Sequence, residues 1–464
     1  MRSARNRAMV PKPLFLKDYF GKAAAVITLA APAMTENILQ TAIGFVDTLF
    51  VSKLGLQEVA AAGMANNIMV VYFGIFMALG VVTNALISRS LGSREGEKSQ
   101  SIAVQSVLVA CAAGLLLGCL TFLFSKPILI LFGATGKMLT DANVYFRIVA
   151  IPSVLPALMI VLGSILRGTS DTKSPMKAGL WMNAIHILLD YLFIFGLWHF
   201  SGWGIVGAAW ASVVARILGV VILILSVRKS VVSFPLAKLL QCKAIEILLL
   251  LKLSGPVVVE RLLSRLGSVA YMGIVISIGT DVYAAHIIAA NIETLAFMPG
   301  YGLGAAATTL VGYSIGQKNK QDAWIYGVLS TAIGAIMMSI VGILLFILLL
   351  PWFVLWFTTD PSTIQRVETA LHIAAFSQFA LAGTLVLAGA LQGAGDTRSP
   401  MYSTFIGVWL IRFVGVYVLG SVLKMGIAGI WIAISADLFV RAIYLFFRFH
   451  RKLHTRSIKH EPSA

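Results

Sequence analysis

Apolar stretches of about 18 residues or more recur along the whole chain, as in "SVLVACAAGLLLGCLTFLFS" from Ser106 to Ser125 and "LSTAIGAIMMSIVGILLFILLLP" from Leu329 to Pro351. Neither run alternates apolar with polar residues. A membrane barrel would show such alternation in segments of about 10 residues, whereas a helix satisfies its own backbone in lipid without it. The pattern predicts an all-α polytopic membrane protein with twelve spans: 23–52, 60–90, 101–124, 140–166, 175–196, 204–227, 247–278, 284–314, 323–350, 365–391, 402–421 and 427–447.

The 464 residues are 59% hydrophobic and 12% charged, with mean hydropathy +0.90, which excludes an ordinary soluble globular protein. A formal net charge of +17 first suggests nucleic acid, but its distribution changes that inference. Most of the 36 Lys and Arg fall in the N-terminal segment (1–22), the C-terminal segment (448–464) and the loops after even-numbered spans. The opposite loops hold Lys53, Lys126, Lys137, Arg366 and Lys424. This asymmetry places both termini in the cytoplasm and explains the basic charge as topology, so no nucleic-acid partner is expected. Cys111, Cys119 and Cys242 have no metal-ligand spacing and imply no disulfide framework. The start lacks a short apolar region with a cleavage site, so no removed signal peptide is expected.

The chain repeats itself. "LRGTSDTKSPM" (Leu166 to Met176) returns 225 positions later as "LQGAGDTRSPM" (Leu391 to Met401). A shift of 224 residues sets Pro32 and Glu36 on Pro256 and Glu260, Gly55 on Gly279 and Asn67 on Asn291. At 222, "GIVGAAWAS" from Gly204 meets "GIAGIWIAIS" from Gly426. Two six-span units follow, 23–227 and 247–447, joined by a basic linker at 228–246. An even number of spans per unit makes them parallel repeats, expected to form two bundles around a central cavity, an arrangement suited to alternating access. In the repeated turn, Gly168 or Gly393 is expected to end one helix, and Ser174-Pro175 or Ser399-Pro400 to cap and begin the next.

Ionisable residues inside spans cost about 2.5 to 3.5 kcal/mol each on insertion scales and mark function by default. Asp47 in span 1 and Asp190 in span 5 lie six residues before Lys53 and Gly196 at the outer ends of their spans, at similar depth. Asn183, His186 and Asp190 share one helix face, and Glu36, Gln40 and Asp47 another. Two carboxylates beside a carboxamide and an imidazole suit Na⁺, through oxygen ligands, or a proton, because burial disfavours two ionised carboxyls together. The second half differs: Tyr271 stands opposite Asp47, and Glu260, Arg261, Arg265, Glu293 and Arg412 supply charge. Glu260, Ser264, Arg265 and Arg412 join Glu36 and Gln40 as candidate substrate contacts, with internal ion pairing the competing role. Asp437 and Arg441 are spaced as an intrahelical salt bridge.

Motifs of enzymes do not fit their context. "GYSIG" at Gly312 to Gly316 ends a membrane helix rather than a strand-to-helix elbow. "GAGD" at Gly393 to Asp396 lies in the repeated turn, and no Walker A or HExxH sequence occurs. A polytopic enzyme would need a metal or nucleophile constellation that the chain does not offer, so no cofactor is expected.

"GFVDTLFVSKLGLQEVAAAGMANNI", the two repeated turns and "ILLDYLFIFGLWHFSGWGIVGAAWAS" resemble the multidrug and toxic compound extrusion family over about residues 15 to 450, nearer its DinF-like branch. The resemblance implies twelve helices in two lobes and export of amphipathic, mostly cationic compounds in exchange for Na⁺ or H⁺. It further implies a plasma-membrane, bacterial inner-membrane location, with membrane lipids around the protein and no required oligomer. By it, Asp47 and Asp190 match acidic residues of an N-lobe cation site, and Pro32 a proline about which the first helix bends. The family's "LNIILD" reads "IHILLD" here, so His186 replaces an Asn. A lipid-linked saccharide flippase of the same superfamily is the alternative, with the arginines as anion partners.

Overall fold

The computed structural model describes residues 19–197, 200–235, 238 and 243–454. The basic residues 1–18 and 455–464, and Cys242, lie outside them. The helices of the first half are α1 (Tyr19–Ser52), α2 (Leu56–Gly92), α3 (Gly96–Leu131), α4 (Gly136–Ala150), α5 (Val154–Gly168), α6 (Lys173–Phe195) and α7 (Ile205–Arg228). Those of the second are α8 (Ala244–Ile278), α9 (Thr280–Gly316), α10 (Lys320–Ile343), α11 (Leu350–Leu355), α12 (Pro361–Gly393), α13 (Arg398–Thr404) and α14 (Gly426–His454). Among the described residues, nine helical stretches and one bent pair are long and apolar enough to cross a membrane. The helices α1 and α8 match them in length but carry Glu36 and Asp47, and Glu260, Arg261 and Arg265.

Every predicted span is helical, with local departures. The fourth is broken: α4 and α5 meet at a 43° bend, where Pro152 cannot donate the next backbone hydrogen bond. The ninth continues α10 as a π-helix over Leu344–Leu348, and the eleventh continues α13 as π-helices over Phe405–Phe413 and Val416–Val422. A two-stranded antiparallel ladder pairs Gly196 with Ser201 after α6, a small β element that apolar periodicity did not predict.

Backbone geometry repeats with the sequence. Arg94 and Lys318, 224 residues apart, both take φ 61° in the turns after α2 and α9. Ser170 (φ 65°) and Gly395 (φ 78°) do the same after α5 and α12. Gly168 and Gly393 end α5 and α12 as expected, and the left-handed residue falls two positions further on. Those glycines also serve close packing: a Cβ at Gly393 would lie 2.5 Å from the Thr308 carbonyl oxygen, and one at Gly168 would lie 3.1 Å from that of Asn84. Thr308 Oγ1 donates to the Gly389 carbonyl at 2.9 Å, joining α9 to α12 at this close approach.

The cap also differs from the expected serine. Asp171 Oδ1 accepts the Ser174 backbone N–H at 3.0 Å, and Asp396 Oδ1 accepts that of Ser399 at 3.0 Å. A carboxylate also complements the positive end of the helix. Asp396→Ala is expected to lower stability by about 1 kcal/mol, the usual worth of a capping acceptor, and Asp171→Ala similarly, both read as falls in melting temperature in detergent.

The chain divides into two compact units. The first holds Ile27–Leu262; the second holds, of the described residues, 19–26 and 263–454. Thus the first turns of α1 group with the second unit and α8 changes unit at Leu262, unlike a clean division between spans 6 and 7. Lys22 ion-pairs with Asp322 at the start of α10, which accounts for the grouping of residues 19–26. Each unit has its own apolar core. In the first, Phe76, Phe146, Ile165 and Leu166 are fully buried; in the second, Phe346, Leu371, Ile430 and Trp431 are buried.

Candidate functional site

In the first unit the two predicted acids converge. Asp47 comes from α1, and His186 and Asp190 from α6; one ligand atom from each lies within 4.8 Å of the others. His186 Nε2 stands 3.4 Å from Asp190 Oδ2 and 3.0 Å from the Ser212 hydroxyl on α7. Asp190 is 0% exposed, and among the described residues neither of its oxygens accepts a hydrogen bond. Asn183 is buried on the same face of α6, three residues before His186. Phe50, three residues after Asp47, packs edge-on against Tyr191 (6.4 Å) and Phe195 (5.9 Å), so an aromatic cluster ties α1 to α6 beside the acids.

These atoms offer carboxylate and hydroxyl oxygens to a hard cation, or carboxylates to a proton. His186 brings a nitrogen where the Asn of the related pattern would bring an oxygen. Two further side chains that interact electrostatically with Asp47 were missed by sequence reasoning: Tyr145 on α4, 2% exposed, and Arg216 on α7. A charged residue inside span 6 was the available signal, and the cost of burying it should have drawn Arg216 into the same set.

The other first-unit candidates lie apart from this cluster in their contacts. Glu36 pairs with Arg167 on α5 at 3.1 Å, and Gln40 is exposed. Pro32 is buried within α1, which runs through it as one helix. Glu260 is buried, at 9% exposure.

In the second unit, Ser264 is half-buried, its carbonyl accepting from Ser268, and Arg265 is exposed. Arg412 is held by Asp437 on α14, Nη2 to Oδ2 at 2.6 Å, and its guanidinium lies 5.8 Å from the Tyr271 ring centre. The spacing of α14 gave no sign of this interhelical pair. Arg441 donates to Thr404 Oγ1 at 2.9 Å. The ring of His286, 1% exposed, sits between Tyr271 (5.9 Å) and Trp431 (5.7 Å), and Glu293 is buried two turns further along α9. The second unit therefore does not repeat the acid pair; an aromatic and ion-paired cluster stands there instead.

Comparison with known proteins agrees with the duplication and the fold. The MatE family model matches twice, at residues 32–192 and 256–418, starting 224 residues apart. A probable multidrug resistance protein NorM of Thermotoga maritima is 31% identical over 437 residues, 93% of this chain and 93% of that protein. An uncharacterized transporter, YisQ, of Bacillus subtilis is 26% identical, covering 95% of this chain and 97% of its own length. Among solved structures, a MOP superfamily transporter from Pyrococcus furiosus superposes with TM-score 0.87 at 23% identity, over 93% of this chain and 96% of that one. An outward-facing multidrug resistance MATE family transporter gives 0.86 at 22% identity. With both halves matched and the length shared with its relatives, the chain belongs to the MatE family of multidrug and toxic compound extrusion transporters and is a polytopic membrane transporter, not an enzyme.

Proposed function

We propose that the protein is a cation-coupled antiporter that exports amphipathic, mostly cationic organic compounds by alternating access, using Na⁺ or H⁺ as the coupling ion. The carrying observation is the convergence of Asp47, His186 and Asp190 inside a membrane-spanning unit. Two carboxylates this close repel when both are ionised, so uptake of one cation or proton relieves the repulsion and loss of it restores the strain. An ion that binds one conformation better than the other shifts the balance between them, and reciprocity makes the exported compound do the same to the ion. Pro32 leaves α1 one backbone hydrogen bond short and is the natural point for that helix to bend as the charge on Asp47 changes. The multidrug resistance names of the relatives support the substrate class. Glu36, Gln40, Glu260, Ser264, Arg265 and Arg412 remain candidate substrate contacts. Glu36 and Arg412 already have ion partners, so they enter this role by exchanging them. The excess of Lys and Arg on one set of loops supports both termini lying in the cytoplasm of a plasma-membrane protein.

The test is export of a fluorescent cationic dye from preloaded proteoliposomes under an imposed Na⁺ gradient or an imposed pH gradient. One of the two is expected to drive export against the dye gradient. Dye unmoved by both would overturn the multidrug reading and favour a lipid-linked substrate.

A further inference from the structure

The first-unit cluster holds buried oxygens that the fold itself does not use. Both carboxylate oxygens of Asp190, a residue 0% exposed, and the buried Oδ1 of Asp47 accept no hydrogen bond among the described residues. Carboxylate oxygens taken out of water and given no donor are costly, so such atoms point to a ligand. The donor set around them is mixed. His186 adds an imidazole, whose Nε2 stands 3.4 Å from Asp190 Oδ2 and 3.0 Å from the Ser212 hydroxyl. One ligand atom each from Asp47, His186 and Asp190 lies within 4.8 Å of the other two. Donors about 2.1 Å from a tetrahedral metal ion stand about 3.4 Å apart, and neighbouring donors of an octahedral one about 3.0 Å. The nitrogen, the Asp190 carboxylate and the hydroxyl are therefore spaced as neighbours around one small ion, and Asp47 completes the set by turning its carboxylate.

We propose that Asp47, His186, Asp190 and Ser212 bind one divalent cation of the zinc class, and that the ion so held blocks the exchange cycle. Hard cations take oxygen ligands, whereas an imidazole nitrogen suits Zn²⁺ and its transition-metal neighbours. Two carboxylates and one imidazole, with a hydroxyl or water in the fourth position, form a set that zinc takes readily. Its double charge also balances both carboxylates at once, which a monovalent ion does not. The ligands come from α1, α6 and α7, so one ion bound by all of them ties three helices together. It thereby favours the conformation in which they meet and opposes the change that alternating access requires. The block rests on the proposed role of Asp47 and Asp190 as the coupling site; the metal binding does not.

The experiment is calorimetric titration of Zn²⁺ into the purified, untagged full-length protein in detergent, with Co²⁺ absorption as a second reading of the coordination and dye export from proteoliposomes as a third. The exposed His450 and His454, whose rings stack at 4.2 Å at the end of α14, offer competing ligands, so the titration is repeated in His450→Ala/His454→Ala. Wild type and this double variant are both expected to bind one tight Zn²⁺ per chain and to give a Co²⁺ spectrum of mixed nitrogen and oxygen ligation. His186→Asn and Asp190→Asn are each expected to weaken that binding about tenfold or more. Saturating Zn²⁺ is expected to bring wild-type export down to the level of protein-free liposomes. Wild type that binds no Zn²⁺, or tight binding lost in His450→Ala/His454→Ala, overturns the proposal without any change to the site. So does tight binding that survives in monodisperse His186→Asn and Asp190→Asn, or Zn²⁺ bound at the site with export unchanged. If Asp190→Asn keeps ion-driven export, the coupling-site reading fails; if it loses export while wild type is blind to Zn²⁺, only the metal assignment fails.

Discussion

Asp190→Asn is expected to reduce gradient-driven dye export to the level of protein-free liposomes while leaving the protein at least as stable as wild type. The two halves of that result have one cause. Asp190 is fully buried, His186 stands 3.4 Å from it, and its oxygens accept no hydrogen bond among the described residues. Placing an ionised carboxylate there costs about 2.5 to 3.5 kcal/mol on insertion scales. An amide of nearly the same shape removes that cost, and with it the charge that attracts the coupling ion. Residues kept at a stability cost are those whose function needs it. Asp47→Asn is expected to behave in the same way, because the acids act as one site and loss of either removes the mutual repulsion that ion binding relieves. Wild-type export by both variants would sink the N-terminal site; a lower melting temperature would show that Asp190 is a structural group.

The second large effect lies in the other unit. Arg412→Leu is expected to cost about 3 to 5 kcal/mol of stability, since it leaves the carboxylate of Asp437, 0% exposed, buried without its 2.6 Å partner. Asp437→Leu should cost a similar amount by stranding the guanidinium, whose contact with the Tyr271 face offsets only part of the loss. The double variant Arg412→Leu/Asp437→Leu should recover most of it, because two apolar side chains of related volume replace a paired charge that was expensive to bury. Melting temperature in detergent reads all three. A double variant as unstable as the two losses added together would show that the residues act independently and that the pair is not the reason for their burial.

The apolar periodicity revealed nearly the whole helical fold, since each span had to bury its backbone polar groups whatever its neighbours were. The duplication was equally legible, down to the turns, because the same residues impose the same capping geometry on both. What escaped was decided by three-dimensional neighbours. The break at Pro152 was readable in principle, while the π-helical stretches around Arg412 have no local sequence signature. At the site, Asp47, His186 and Asp190 were recoverable from depth and helical face alone. Ser212 was not grouped with them, because nothing in the spacing of α7 says which neighbour it faces. The same blindness missed Arg412 as a partner of Asp437 across two helices.

The central claim is that ion and compound are exchanged through the carboxylates of the first unit, and reciprocity gives its most direct test. Proteoliposomes with equal pH and equal Na⁺ on both sides are given only a dye gradient, and proton and sodium movements are followed by an internal pH dye and by radioactive sodium. In wild type the falling dye gradient is predicted to drive one of the two ions uphill in the opposite direction, and in Asp190→Asn to drive neither. Dye flux through the wild-type protein with no opposing ion movement would contradict the account.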